Sequence, residues 1–158
     1  MSSSAISQGL FGLLLLIILF ALAVFDVKKM ILPNSLNLLL AVCGIGQSII
    51  QRQPSLTDAI LGALASISIV AIVTMSFRKF RGMDGLGMGD QKLVAAGGLW
   101  IGWQHVPSML LVSSVAALGF VLLQAMRGYR FERSTRVPFG PFLGAGTLAA
   151  WFNMAMSS

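Results

Sequence analysis

Apolar residues gather in six long stretches of the chain, and short polar or basic segments separate one stretch from the next. The stretches run over residues 8–25, 35–51, 57–77, 91–106, 107–126 and 138–156. A helix that crosses a bilayer needs about 20 mostly apolar residues, so the first and third stretches fit best. The second and fourth are short or interrupted by glycine, which suits a tilted or partly re-entrant helix. The pattern predicts an all-α, polytopic membrane helix bundle with about six transmembrane helices.

The composition also indicates an integral membrane protein. Of the 158 residues, 56% are hydrophobic and 10% are charged, whereas about 25% of the residues of an average soluble protein are charged. Neither an internal repeat nor an inter-domain linker is visible, so residues 1–158 are predicted to form a single domain. Pro107 is expected to separate the fourth and fifth helices, because proline opens a helix more readily than it fits inside one. No basic residue precedes the first apolar run, so a cleaved signal peptide is not expected.

The basic residues divide the junctions between apolar stretches into two groups. Odd-numbered junctions hold ten of the eleven basic residues, namely Lys28, Lys29, Arg78, Lys79, Arg81, Lys92, Arg127, Arg130, Arg133 and Arg136. The even-numbered junctions hold only Arg52. By the positive-inside rule the odd junctions are cytoplasmic, and the N- and C-termini lie outside. The net charge of +6 therefore fits topology signals and a lipid bilayer as partner, and nucleic acid is not expected.

Two aspartates fall at the same predicted edge of the bilayer. Asp26 ends the first stretch, which runs inward, and Asp90 opens the fourth, which runs outward. Two carboxyl groups that lie close together share one proton, because ionising both is costly. One can then activate a water molecule while the other donates a proton to a peptide carbonyl. This placement favours hydrolysis of a peptide bond by an aspartate pair.

Each acidic residue also has a structural interpretation. An acid at the end of a membrane helix more often reaches water than acts as a catalyst. Asp26 could pair with Lys29, and Asp90 could cap the fourth helix. Asp58 lies in the first turn of the third stretch, where capping is expected.

Glycines precede Asp90 in the sequence. Gly85, Gly87 and Gly89 permit a close approach of the backbone, and they are expected to let an extended substrate strand lie against this loop. No strand precedes the segment and no Gly-Lys-Ser/Thr follows it, so a nucleotide-binding loop is a poor fit.

The sequence contains few of the residues that other kinds of catalytic site require. Cys43 is the single cysteine and His105 the single histidine, so the chain has neither a cysteine cluster nor a paired-histidine motif. No metal and no cofactor are therefore expected. An intramembrane serine protease requires a G-x-S-G segment and a histidine on a neighbouring helix. The sequence has no such segment, and the predicted topology places His105 at the membrane face opposite the two aspartates.

Three segments resemble the type IV prepilin peptidases, a family of GxGD intramembrane aspartyl proteases. Residues 87–103 begin Gly-Met-Gly-Asp-Gln-Lys-Leu and resemble the family's G-x-G-D segment. Residues 26–36, Asp-Val-Lys-Lys-Met-Ile-Leu-Pro-Asn-Ser-Leu, resemble its first aspartate with the proline and polar residue that follow. Residues 137–143, Val-Pro-Phe-Gly-Pro-Phe-Leu, resemble its third motif. The three segments follow the family's order and cover the whole chain.

The resemblance implies that Asp26 and Asp90 are the catalytic pair, and that Asp84 matches an acidic position involved in loop order or substrate contact. It implies a multi-pass inner-membrane protein that removes the leader of prepilins or pseudopilins at the cytoplasmic face, serving type IV pili or type II secretion. Many bacterial members also carry two C-x-x-C pairs in a cytoplasmic insertion and an N-methyltransferase activity. The single cysteine predicts a minimal form without that zinc-binding domain.

Two other functions are compatible with the sequence. A non-enzymatic membrane assembly factor of a pilus or secretion system would need neither aspartate. A small transporter would also carry intramembrane acids, although both aspartates lie at one edge rather than at the midplane, and no inverted repeat is visible.

Overall fold

Helices make up every regular element that the structure, a computed structural model, describes over residues 3–81, 86–128 and 137–157. They are α1 Ser3–Lys29, α2 Asn34–Gln51, α3 Leu56–Arg81, α4 Met88–Ile101, α5 Val106–Met126 and α6 Gly140–Met156. A short 3₁₀ turn, Trp103–His105, precedes α5. The prediction of an all-α bundle is confirmed, and each of the six apolar stretches corresponds to one helix.

Three of the helices meet the length and composition needed to cross a membrane by themselves. Their apolar segments are Ile6–Lys29, Leu56–Phe80 and Trp103–Met126. The helices α2, α4 and α6 contain 18, 14 and 17 residues. At about 1.5 Å per residue α4 is ~21 Å long, which is shorter than the ~30 Å hydrocarbon core of a bilayer. Six full spans and outward termini therefore stay predictions.

The predicted fourth span, residues 91–106, is too long at its C-terminal end. Helix α4 ends at Ile101 because Gly102 takes a φ of 72°, a left-handed conformation that glycine adopts without steric cost. The chain then turns through Trp103–His105 into α5. Pro107 lies in the first turn of α5, where its missing N–H removes no helix hydrogen bond. The break between the fourth and fifth helices therefore begins at Gly102, five residues before the expected proline.

Helix α4 is the centre of the bundle and packs against α2, α3 and α6. Its backbone lies directly against that of α3, since a Cβ at Gly98 would stand 2.5 Å from the carbonyl oxygen of Gly62. Small residues that let helix backbones approach this closely are typical of helix packing inside membranes. The side chain of Trp100 is fully buried, and its indole N–H donates to the Leu40 carbonyl of α2 at 2.8 Å.

A buried amide joins three helices at the end of the bundle that holds Gly102. The Gln47 side chain is fully buried, and its Nε2 donates to the carbonyl oxygens of Gln53 (2.9 Å) and Trp100 (3.2 Å). Its Oε1 accepts the indole N–H of Trp151 at 2.9 Å. A buried polar group is stable only when its hydrogen bonds are made, so these bonds fix α2, α4 and α6 relative to one another.

The same end carries the predicted cap of α3. Asp58 lies in the first turn of α3, and the Ser55 hydroxyl oxygen accepts its backbone N–H at 3.1 Å. The Asp58 carboxylate in turn accepts the Ser55 hydroxyl at 2.6 Å and the Trp103 indole N–H at 3.0 Å. Ser55 is thus the capping residue, and Asp58 supports the cap as expected.

The opposite end of the bundle holds both predicted catalytic aspartates, and we call it the carboxylate end. There Lys92 Nζ donates to Asn34 Oδ1 at 2.7 Å, and the first N–H of α6 donates to Asp26. Within the described residues, Lys28, Lys29, Arg78, Lys79, Arg81, Lys92 and Arg127 lie toward this end, and Arg52 follows α2 at the other. The division of charge inferred from the sequence therefore corresponds to the two ends of the fold.

The close contact between glycines of α3 and α4 allows a prediction about the stability of the fold. Gly98→Ala forces the two backbones apart, and we expect it to lower the free energy of unfolding by about 1–3 kcal/mol. Gly119→Ala is the matched control in α5, because a Cβ there meets nothing within 4 Å, and it should raise stability by up to about 1 kcal/mol. Thermal unfolding in one detergent, followed by circular dichroism, compares them. Equal stability of the two variants would contradict the proposed close contact.

Candidate active site

Asp26 lies three residues before the end of α1, with 6% of its surface exposed. Its Oδ2 accepts the backbone N–H of Gly140 at 2.8 Å. Gly140 is the first residue of α6, so the carboxylate lies at the positive end of that helix dipole. Lys29, the pairing partner considered from the sequence, places its ammonium 5.8 Å from the centre of the Phe25 ring.

Gly140 has a steric reason to lack a side chain. A Cβ at this position would stand 2.7 Å from Asp26 Oδ2 and 3.1 Å from its Cγ. Both distances are too short for ordinary contact, so a larger residue would push α6 away from the carboxylate. The sequence motif at residues 137–143 contains this glycine, but the sequence alone assigns it no role.

Asp90 lies in the first turn of α4 and is half-buried. The Gly87 N–H at the start of the helix donates to its carboxylate, which is the capping arrangement that the sequence left open. Gly87 also stands close, because a Cβ there would lie 3.3 Å from Asp90 Oδ2. The other oxygen, Asp90 Oδ1, is buried and has no hydrogen-bond partner among the described residues. Capping therefore occupies only part of this carboxyl group.

The structure places the two carboxyl groups at the same end of the bundle, where the charge of Asp26 acts on Asp90. Burial, and after it the negative charge of Asp26, raise the pKa of Asp90 from 3.8 to about 6, and the hydrogen bond from Gly87 opposes this shift. Asp90 precedes the predicted span 91–106 by one residue, so the predicted topology puts it at the membrane edge. A carboxyl group with a raised pKa near a second carboxyl group is the arrangement expected of an acid–base pair.

Asn37 is a member of this region that the sequence analysis missed. It is 96% buried in α2, and its Nδ2 donates to the Gly89 carbonyl at 3.5 Å, whereas its Oδ1 has no partner among the described residues. Gly89 lies against α2 and the turn before it, since a Cβ there would stand 2.9 Å from Leu32 Cβ. The only signal in the sequence is a polar residue one turn after Asn34 in an apolar stretch.

The remaining predicted site residues divide into two groups. Gly87 and Gly89 lie beside Asp90, and their role toward an extended substrate stays a prediction. Asp84 lies outside the described residues. Among residues 3–81, 86–128 and 137–157, no cluster of three histidine, cysteine or acidic side chains forms a potential metal site. His105 lies in the turn after Gly102, at the end of the bundle opposite the aspartates.

Comparison with known proteins identifies the family. Residues 13–122 match the type IV leader peptidase family. The chain belongs to this family. The match covers both aspartates, most of α1, all of α2 to α4 and most of α5. The family agrees with the long apolar helices in indicating a membrane protein.

Individual relatives share the sequence over most of the chain. Proteins named prepilin leader peptidase/N-methyltransferase are 38% identical over 135 residues in Burkholderia pseudomallei, 37% over 144 residues in Aeromonas hydrophila and 36% over 147 residues in Pectobacterium carotovorum. These alignments cover 85%, 89% and 92% of this chain and 43%, 47% and 51% of the relatives. The chain thus spans about half the length of the curated relatives it matches. No solved structure matches it.

The raised pKa of Asp90 predicts a pH-dependent stability. Between about pH 4 and pH 6 the folded state binds more protons at Asp90 than the unfolded state does, so stability should fall as the pH rises through this range. Asp90→Asn removes the titrating group. The difference in unfolding midpoint between wild type and variant, measured from pH 3.5 to pH 7.5, should therefore change across this interval and be flat above it. A difference that is constant from pH 3.5 to pH 7.5 would show that Asp90 has an ordinary pKa.

Proposed function

We propose that the protein is an intramembrane aspartyl endopeptidase that cleaves the leader peptide of prepilins or pseudopilins. The observation that carries this proposal is the placement of Asp26 and Asp90 at the same end of the bundle, with Asp90 in the first turn of α4 and Asp26 bonded to the first N–H of α6. The names of the relatives supply the substrate class. Prepilin or pseudopilin is accordingly the expected partner.

The two carboxyl groups have different surroundings, and this difference suggests their roles. Asp26 receives the Gly140 N–H at the positive end of α6, a position suited to a charged carboxylate. Asp90 has the raised pKa and an unpartnered buried oxygen. We assign Asp26 as the base that removes a proton from water and Asp90 as the acid that protonates the scissile carbonyl oxygen. The hydroxide adds to the carbonyl carbon and gives a gem-diol. The C–N bond then breaks as Asp26 gives its proton to the leaving nitrogen, and a hydroxyl proton of the gem-diol returns to Asp90, which leaves the product as a carboxylic acid.

The glycines beside Asp90 suit an extended substrate. Gly87 and Gly89 present no side chain, so the backbone near the carboxyl group can approach another strand closely. A peptide bond inside a helix has its carbonyl covered by the next turn, so the substrate must unwind before hydrolysis. We assign the Gly87–Asp90 segment as the surface on which the unwound leader junction lies.

The cellular orientation follows from the charges at the carboxylate end. Basic residues concentrate there among the described residues, and the positive-inside rule assigns such an end to the cytoplasm. We therefore propose that the protein is a multi-pass protein of the inner membrane that cuts at its cytoplasmic face. Both termini then lie outside.

Loss of either carboxyl group should stop leader cleavage. Asp26→Asn and Asp90→Asn are each expected to reduce kcat by roughly 10²-fold or more, because acid–base catalysis contributes at least this factor. Asp58→Asn is the matched control, since Asp58 lies at the other end of the bundle. Processing of a co-expressed prepilin, followed by the size shift of its mature form, measures the effect.

Two results would decide against the proposal. Normal processing by Asp26→Asn or Asp90→Asn, with expression equal to wild type, would remove that residue from catalysis. Failure of the wild type to process any prepilin, while a pilus or secretion system still depends on the protein, would favour a non-enzymatic assembly factor.

The contact between Gly140 and Asp26 predicts a second kinetic effect. Gly140→Ala should lower kcat by about tenfold or more with little change in KM, because displacement of α6 removes the N–H donor from Asp26. Gly144→Ala is the matched control one turn later, where a Cβ would lie 3.7 Å from Leu19 in ordinary contact. Equal kcat values for the two variants would show that the Gly140 N–H plays no part in the reaction.

A further inference from the structure

An apolar cleft opens between α3 and α5 on the half of the bundle that holds the carboxyl groups. Helix α3 packs mainly against α4, and α5 packs mainly against α6, which leaves a gap between α3 and α5. The cleft has a volume of about 350 Å³. Its walls include Val73, Thr74 and Phe77 of α3 and Ser114 of α5. We call it the α3–α5 cleft.

The inner end of this cleft meets the residues that hold the two carboxyl groups. Leu86 lines the cleft and immediately precedes Gly87, the donor to Asp90. Phe139 lines it from the other side and immediately precedes Gly140, the donor to Asp26. A chain that leaves the cleft between Leu86 and Phe139 therefore arrives beside both carboxyl groups.

We propose that the α3–α5 cleft binds one face of the apolar helix that follows the scissile bond of the substrate. This inference rests on the proposed leader cleavage and names where that substrate lies in the membrane. A membrane helix that enters laterally lies along the axes of α3 and α5, with its chain running in the opposite direction, so its side chains can fill the apolar walls. The volume suits side chains from one helix face, with the remaining faces of the helix in lipid.

A polar residue that lines the cleft also fits an occupant of this kind. Thr74 Oγ1 is buried and has no hydrogen-bond partner among the described residues. Hydroxyl groups that bond across neighbouring helices are a recurrent way of holding membrane helices together. The unpartnered hydroxyl of Thr74 can serve a polar group of the bound helix in the same way.

A second groove in the structure is the rival path for the substrate. It has a volume of about 420 Å³, lies between α2, α3 and α4, and is lined by Ala63, Ala95 and Lys92 among others. Lys92 and Asn34, which both line it, are joined by a hydrogen bond. Neither aspartate lines either groove, and the second groove reaches the site only through Asn37, which donates to the Gly89 carbonyl. The α3–α5 cleft is therefore the groove that meets both the residue before Gly87 and the residue before Gly140.

Photo-crosslinking tests the placement without requiring turnover. A photoactivatable side chain at Ser114, in a full-length Asp90→Asn protein co-expressed with an intact prepilin, should capture the prepilin through its apolar helix. Probes at Val115, which faces lipid on the same helix with 61% exposure, and at Ala63 of the rival groove should not. Capture from Ala63 but not from Ser114, or equal capture from all three, overturns the proposal.

Kinetics separate a failure of this inference from a failure of the proposed function. Ser114→Trp fills the cleft from an exposed position and should raise the KM for prepilin about tenfold or more. Val115→Trp and Ala63→Trp should leave KM near the wild-type value. If wild type cleaves prepilin and Ser114→Trp does so with an unchanged KM, the cleft is not the binding surface although the protein is a peptidase. If wild type cleaves no prepilin, leader cleavage itself is wrong.

Discussion

The short length of α4 is the constraint on which the candidate site depends. Its 14 residues span ~21 Å, whereas the 26 residues of α3 span ~39 Å. Contact of Gly98 with Gly62 fixes the C-terminal half of α4 inside the bundle. The helix therefore begins well inside the end of α3, and Asp90 lies half-buried there. Additional turns at its start would carry Asp90 into bulk water and remove the burial that raises its pKa.

Helix α6 fixes the second carboxyl group relative to the first. It packs against both α1 and α4, so it joins the two helices that carry the aspartates. Its first residue, Gly140, donates to Asp26, and a Cβ at Gly140 would stand only 2.7 Å from the same carboxylate oxygen. Residues 137–143 thus have a physical role, because they hold Asp26 in place while the glycines before α4 shape the surroundings of Asp90.

The sequence predicted the helices and the shared end of the two aspartates, because apolar length and clustered basic charge are local signals. It failed at Gly102, since a glycine in an apolar run can continue a helix or end it, and only the contacts of α3 and α4 decide which. It also missed Asn37 and the role of Gly140. Both act through partners more than fifty residues away, and such contacts depend on helix packing rather than on local pattern.

A substrate that reaches the recessed carboxyl pair must give up some of its own helical hydrogen bonds. An unwound peptide at the membrane edge exposes N–H groups that lose their helical acceptors, and each unpaired group is costly where water is scarce. Near Asp90 the structure holds one buried amide oxygen without a partner among the described residues, Asn37 Oδ1. Asn37 is itself held by the Gly89 carbonyl, so its oxygen is fixed beside the glycine segment. This acceptor can compensate an unwound substrate for a lost helix bond beside the two aspartates, which favours unwinding there over unwinding elsewhere along the helix.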